Sequence, residues 1–130
     1  MAYYIDTSAL VKLVVAEPES DALRASLEVA DVDVVSSDLA RTELMRAVRR
    51  AAPDRAPHAR AVLDSVLVLT LGTDTYESAG RLDPSIMRTL DALHLAAALE
   101  LGDDLDGFVT YDDRLAAAAR SHGMVIVAPT

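Results

Sequence analysis

Short apolar runs rich in Val, Ile and Leu recur along this chain, and each alternates with a stretch of helical pattern. No other feature limits the fold as sharply. Strands joined through helices run parallel, because a parallel connection needs a long crossover whereas a hairpin needs only two residues. Such a sheet is covered on both faces, so its strands read as continuous apolar runs. Tyr3–Ile5, Val32–Val35, Val66–Leu71, Phe108–Tyr111 and Met124–Val127 are the predicted strands. Helices are predicted from Thr7 to a stop near Pro18, and over Asp21–Val29, Leu39–Ala52, His58–Ser65, Tyr76–Leu82, Leu90–Leu101 and Asp112–Ser121. Thr7-Ser8 and Ser36-Ser37-Asp38 read as N-cap clusters, and Pro53 ends the Leu39 helix. Between Ala92 and Leu99 the pattern is apolar nearly all round, the mark of a buried helix. The expected fold is α/β, with a central mostly parallel sheet, in one domain over residues 1–130.

Size and composition agree with a packed domain and remove several functions. The chain has 130 residues, below the length of two ordinary domains. Surface scaling gives about 6,700 Å² exposed when folded against roughly 20,000 Å² when unfolded, enough burial for one core. A hydrophobic share of 52% excludes disorder. Cysteine is absent, which excludes disulfides, thiolate metal sites and a cysteine nucleophile. No 18-residue apolar run exists to span a membrane, and the opening lacks a basic signal region. A soluble, cytoplasmic protein is expected. The net charge of −9 argues against indiscriminate nucleic-acid binding.

Most acids suit turns and solvated helix faces, including Asp103, Asp104 and Asp106, which lack the spacing of a calcium loop. Four do not. Asp6 and Asp112 each follow a predicted strand directly, and open α/β sheets bind ligands at the carboxyl ends of their strands. Each alone could equally be a turn or capping aspartate. Glu43 shares a helix face with Leu39, Ala40 and Ala47, where a carboxylate needs a partner; Arg46 or Arg49 could supply one. Asp91 sits in the first turn of the most apolar helix, as the helix dipole also favours. Four converging carboxylates without basic partners would repel, and a hard divalent cation relieves that. Oxygen ligands suit Mg²⁺ or Mn²⁺, whereas zinc would recruit His or Cys. His94 reads as a helix histidine packed among Leu90, Leu95 and Ala98.

The strings Tyr4-Ile5-Asp6-Thr7-Ser8-Ala9-Leu10, Ser36-Ser37-Asp38-Leu39-Ala40-Arg41-Thr42-Glu43-Leu44, Arg88-Thr89-Leu90-Asp91-Ala92-Leu93-His94-Leu95-Ala96 and Phe108-Val109-Thr110-Tyr111-Asp112 occur in this order. In them the chain resembles the PIN-domain ribonucleases, and specifically the VapC toxins of bacterial toxin–antitoxin pairs, from Tyr3 to about Val127. The resemblance implies an α/β/α sandwich and an endoribonuclease that uses Mg²⁺ or Mn²⁺ to cut a structured RNA, such as a transfer or ribosomal RNA. It implies Asp6, Glu43, Asp91 and Asp112 as catalytic and metal-holding acids, with Thr7, Ser8 and Thr110 as supporting hydroxyls. Asp113 follows Asp112 directly and is the alternative or sharing fourth ligand. The partners implied are the RNA, a cognate VapB-type antitoxin lying across the cleft, and a second copy in a homodimer.

Residues 41–60 hold six arginines against Glu43 and Asp54, a net of +4 in an acidic chain. Arg46 and Arg49, with Arg88 beside Asp91, are the RNA-facing candidates, since guanidinium groups match phosphates bidentately. The simpler reading is that these arginines solubilise an exposed helix pair. Aromatics at 4% leave base stacking little room. Two other functions stay open: a PIN nuclease that processes RNA without an antitoxin, and a non-catalytic signalling module of receiver type. The second lacks paired acids after the first strand, and the only lysine, Lys12, lies early. No G-x-G-x-x-G follows the first strand, and Asp6-Thr7-Ser8 is not the Asp-x-Asp of a dehalogenase-type phosphatase.

Overall fold

The computed structural model describes all 130 residues. Five short strands, β1 (Ala2–Ile5), β2 (Asp33–Ser37), β3 (Leu67–Leu69), β4 (Leu105–Val109) and β5 (Ile126–Val127), form one sheet. Seven α-helices connect them: α1 (Thr7–Val14), α2 (Ser20–Ala30), α3 (Leu39–Ala51), α4 (Ala56–Ser65), α5 (Thr73–Ala79), α6 (Thr89–Leu99) and α7 (Asp113–Ser121). Every strand pair is parallel, in the order β3-β2-β1-β4-β5. A receiver-type fold has the order 2-1-3-4-5, so the topology removes the signalling-module reading.

Side chains on a strand alternate between faces, and this alternation builds the two cores. Ala2 and Tyr4 of β1 and Phe108 of β4 face a cluster made with α5, α6 and α7. Ile5 and Val109 face the opposite cluster, made with α1, α2, α3 and α4. The result is the expected α/β/α sandwich. Its total accessible surface is 7077 Å², near the value scaled from mass. In α6 every residue from Ala92 to Ala98 is buried, because the helix is wedged between the sheet and α5.

Three local readings shift. Leu105-Asp106-Gly107, expected as part of an acidic turn, belongs to β4, because this segment pairs with β1 through Ala2↔Leu105 and Tyr3↔Gly107. A Cβ on Gly107 would stand 2.8 Å from Val127 Cγ2 and 3.0 Å from Tyr3 Cε1, so the close packing there needs glycine. Ser36 and Ser37, expected as a helix cap, finish β2, and the Ser36 hydroxyl donates to the Ile5 carbonyl at 2.8 Å. β4 ends at Val109, which frees the Thr110 side chain and backbone for other bonds.

The chain leaves β1 toward β2 and β3 on one side, then crosses to β4 and β5 on the other. The connections after β1 and β4 therefore diverge, and a crevice opens at the carboxyl ends of these two neighbours. Asp6 and the Thr110–Asp112 segment lie there.

Candidate active site

Asp6 ends β1 and caps α1. Its Oδ1 accepts from the Ala9 amide at 3.1 Å and the Ser8 hydroxyl at 2.7 Å, and its Oδ2 accepts from the Thr110 hydroxyl at 2.6 Å. The residue is 3% exposed. Burial pushes its pKa above the ordinary carboxylate value, against the opposing pull of the Thr110 and Ser8 hydroxyls, His94 and the Ala9 amide. Ser8 Oγ also accepts from the Tyr111 amide at 3.0 Å, and Thr110 Oγ1 accepts from the Asp112 amide at 3.1 Å. The two hydroxyls thus stitch the end of β1 to the end of β4.

Asp112 caps α7, its Oδ1 accepting from the Arg114 and Leu115 amides at 2.9 and 3.1 Å. Its Oδ2 meets Arg88 Nη2 at 3.0 Å, while Arg88 Nε meets Asp91 Oδ2 at 3.0 Å. One guanidinium thus bridges two carboxylates. Asp113 is exposed and forms no side-chain hydrogen bond or ion pair.

Glu43 projects from α3 and is bound on Oε1 by the Thr7 hydroxyl at 3.0 Å and by His94 Nε2 at 2.6 Å. Burial acts upward on its pKa, but the His94 hydrogen bond, the attraction of that imidazole and Thr7 outweigh it, so the net shift is downward. To donate to a carboxylate, Nε2 must carry hydrogen. The other ring nitrogen, Nδ1, is hydrogen-bonded with the Tyr4 hydroxyl, 2.7 Å away. Tyr4 is fully buried, and burial pushes its phenol well upward.

Three expectations need correction. The acids are not free of basic partners: Arg88 serves Asp91 and Asp112, and His94 serves Glu43. His94 is buried in α6 but is not merely packed there; it joins Tyr4 to Glu43. Arg46 and Arg49 make no ion pair with Glu43, and with Arg50 they line an exposed concavity of about 410 Å³. The sequence reading missed His94 and Tyr4. The available signal was a polar residue within an otherwise apolar helix, one turn after Asp91.

No three His, Asp or Glu side chains are gathered tightly enough to form a ready ligand cluster. In kind, however, the donors fit a hard cation. They are carboxylate oxygens, Asp6 is a buried carboxylate with no ion-pair partner, and Asp91 and Asp112 already share one positive group. Beside Asp91 and Arg88 lies a groove of about 530 Å³, lined also by Ile86, Met87, Arg114 and Leu115.

The family model for the PIN domain matches residues 3–121. The chain belongs to the PIN-domain family. This PIN domain is 46% identical over 129 residues to Ribonuclease VapC46 of Mycobacterium tuberculosis, covering 99% of the chain and 98% of the relative. It is 42% identical over 130 residues to Ribonuclease VapC47 of the same species, covering 97% and 96%. It is therefore of the VapC type. Among solved structures, M. tuberculosis VapC20, a toxin that cleaves the sarcin–ricin loop, matches with a TM-score of 0.75 at 20% identity over 89% of this chain and 94% of that one. Rickettsia felis VapBC2, bound to a DNA fragment from its promoter, matches with a TM-score of 0.73 at 16% identity over all of both chains. At those identities the structural matches speak for the fold. No helix of this PIN domain is long and apolar enough to cross a membrane.

Proposed function

We propose that this PIN domain is an endoribonuclease that hydrolyses RNA phosphodiesters, acting as the toxin of a toxin–antitoxin pair. One observation carries the reading. Asp6, Asp91 and Asp112, from the ends of β1 and β4 and the start of α6, share a network completed by Thr110 and Arg88, and Glu43 is held by Thr7, the residue that follows Asp6. The network contains no thiol, and its serine and threonine hydroxyls are engaged in holding carboxylates rather than facing a base. The VapC ribonucleases to which the chain is similar support the reading.

Asp6, Glu43, Asp91 and Asp112 would hold a divalent cation, Mg²⁺ or Mn²⁺. When bound, such a cation supplies charge stabilisation for a phosphate and acidifies water. The rest falls to the protein. Thr110 and Ser8 fix the Asp6 carboxylate, Thr7 and His94 fix Glu43, and the α7 cap fixes Asp112. Glu43 or Asp91 is the acid suited to orient attacking water, and Glu43 keeps one carboxylate oxygen free because Thr7 and His94 both bond the other.

The partners in this reading are a structured RNA, a VapB-type antitoxin and a second copy of the chain. Toxin–antitoxin complexes among the structural neighbours, including one from Klebsiella pneumoniae, support the antitoxin. Sequencing of RNA 5′ ends after pulsed expression tests the function. A reproducible cut site with the native protein and none with Asp6→Asn is expected; identical profiles would overturn it.

A further inference from the structure

Arg88 differs from the two carboxylates it bridges. Asp91 lies in the first turn of α6, and Asp112 is held by two amides of α7, so both acids are fixed by the fold. Their side chains are 17% and 27% exposed, against 66% for Arg88. Arg88 precedes α6 on extended backbone, and all of its side-chain bonds are to these two acids. The acids thus form a fixed seat, and the guanidinium is a solvent-exposed occupant held by two ion pairs of the kind that contribute little net stability.

We propose that Arg88 is a built-in competitor of the divalent cation: it bridges Asp91 and Asp112 and offsets part of their charge in the cation-free protein, and must leave them when the cation binds. This rests on the function proposed above and assigns that site a regulator within the chain. The competition follows from geometry and charge. Each Arg88 contact uses an Oδ2 atom of the same two carboxylates that a hard cation would draw on. A guanidinium and a divalent ion on one carboxylate pair repel each other. Once displaced, Arg88 remains beside the groove that Arg114 also lines. The side chain of Arg114 makes no hydrogen bond or ion pair, so it carries the same charge nearby without the bridge.

Arg114 therefore supplies the control. Mn²⁺ binding is measured from the free-ion electron paramagnetic resonance signal for the native protein, Arg88→Gln and Arg114→Gln, each checked for folding by circular dichroism. Arg88→Gln is expected to bind Mn²⁺ about fivefold more tightly than the native protein, the scale that two exposed ion pairs support. Arg114→Gln should stay within about twofold, as a charge without direct contact is largely screened. In the native protein, saturating Mg²⁺ should move the Arg88 Nε–H resonance, identified by its loss in Arg88→Gln. Equal Mn²⁺ affinity in native protein and Arg88→Gln, equal tightening by both variants, or an unmoved resonance would each overturn the competition while leaving the metal-dependent nuclease intact. Failure of all three folded proteins to bind Mn²⁺ would remove both.

Discussion

Asp6→Asn should make the cation-free protein more stable while abolishing RNA cleavage. The variant keeps the shape of the side chain and removes a charge from a position that is 3% exposed and forms no ion pair. Asn Oδ1 keeps the Ser8 and Ala9 donors. Its Nδ2 replaces the acceptor that Thr110 now uses, and the Thr110 hydroxyl can turn its proton toward Ser8 Oγ, 3.3 Å away, and accept instead. Hydrogen bonds to the charged form recover part of the desolvation penalty, but the raised pKa of Asp6 says that burial wins. Relief of such a functional liability is worth about 1–2 kcal/mol. With an unfolding entropy of about 2.1 cal/mol/K per residue over this length, the melting temperature should rise by about 4–7 °C at pH 7 in EDTA. The sign against pH is fixed. Because the folded pKa is raised, native Asp6 stabilises most below its unfolded value of 3.8, and this is lost as pH rises through the folded value. The advantage of Asp6→Asn must therefore shrink on acidification. Calorimetric melts from pH 7 down to the ordinary carboxylate range read both features. A variant that melts at or below the native temperature at pH 7, or a gap that widens as pH falls, would refute the reasoning.

His94→Ala strands the Glu43 carboxylate and the buried Tyr4 hydroxyl, and should lower stability by about 2–4 kcal/mol in urea titrations. Adding Tyr4→Phe to it should return about 1 kcal/mol, because the unsatisfied hydroxyl is gone. Glu43 has a lowered folded pKa, so it stabilises above its unfolded value of 4.5 and this is lost as pH falls through the folded value; His94→Ala should flatten that acid limb. Gly107→Ala drives a methyl group against Val127 and the Tyr3 ring, and should destabilise by about 1–3 kcal/mol by thermal melt. Arg46→Ala with Arg49→Ala should weaken RNA binding and reduce the slope of log affinity against log salt by about 1–2, read by fluorescence anisotropy.

The parts of this site that can be read along the chain are those set by neighbours in sequence. Asp6 and Asp112 follow apolar strand-like runs, so their place at strand ends is legible, and the Thr110 hydroxyl comes with them. Arg88 and Asp91 are three residues apart, a spacing that local structure can bring together. What is not legible depends on partners far away in the chain. His94 looks like a core residue because its helix is apolar, and only packing α6 near α3 brings it to Glu43, 51 residues earlier. Asp103 to Gly107 looks like a solvated turn until β1 offers Leu105 and Gly107 a parallel partner. Ser36 and Ser37 look like a cap, yet sheet pairing with Val68 and Leu69 holds them as strand.

The placement of β4 beside β1 also sets a clock. The Thr110 hydroxyl that fixes Asp6 and the Asp112 carboxylate that completes the crevice are made 104 and 106 residues after it. At roughly 5–20 residues per second, synthesis separates them by about 5–20 s. Until β4 is made, the edge of β1 that it will occupy has no partner, so the hydroxyl bridge cannot form. A ribosome-bound fragment that stops short of Asp112 therefore lacks a completed crevice. Hydrolytic capability arrives only once the Thr110–Asp112 segment has been made and paired with the end of β1.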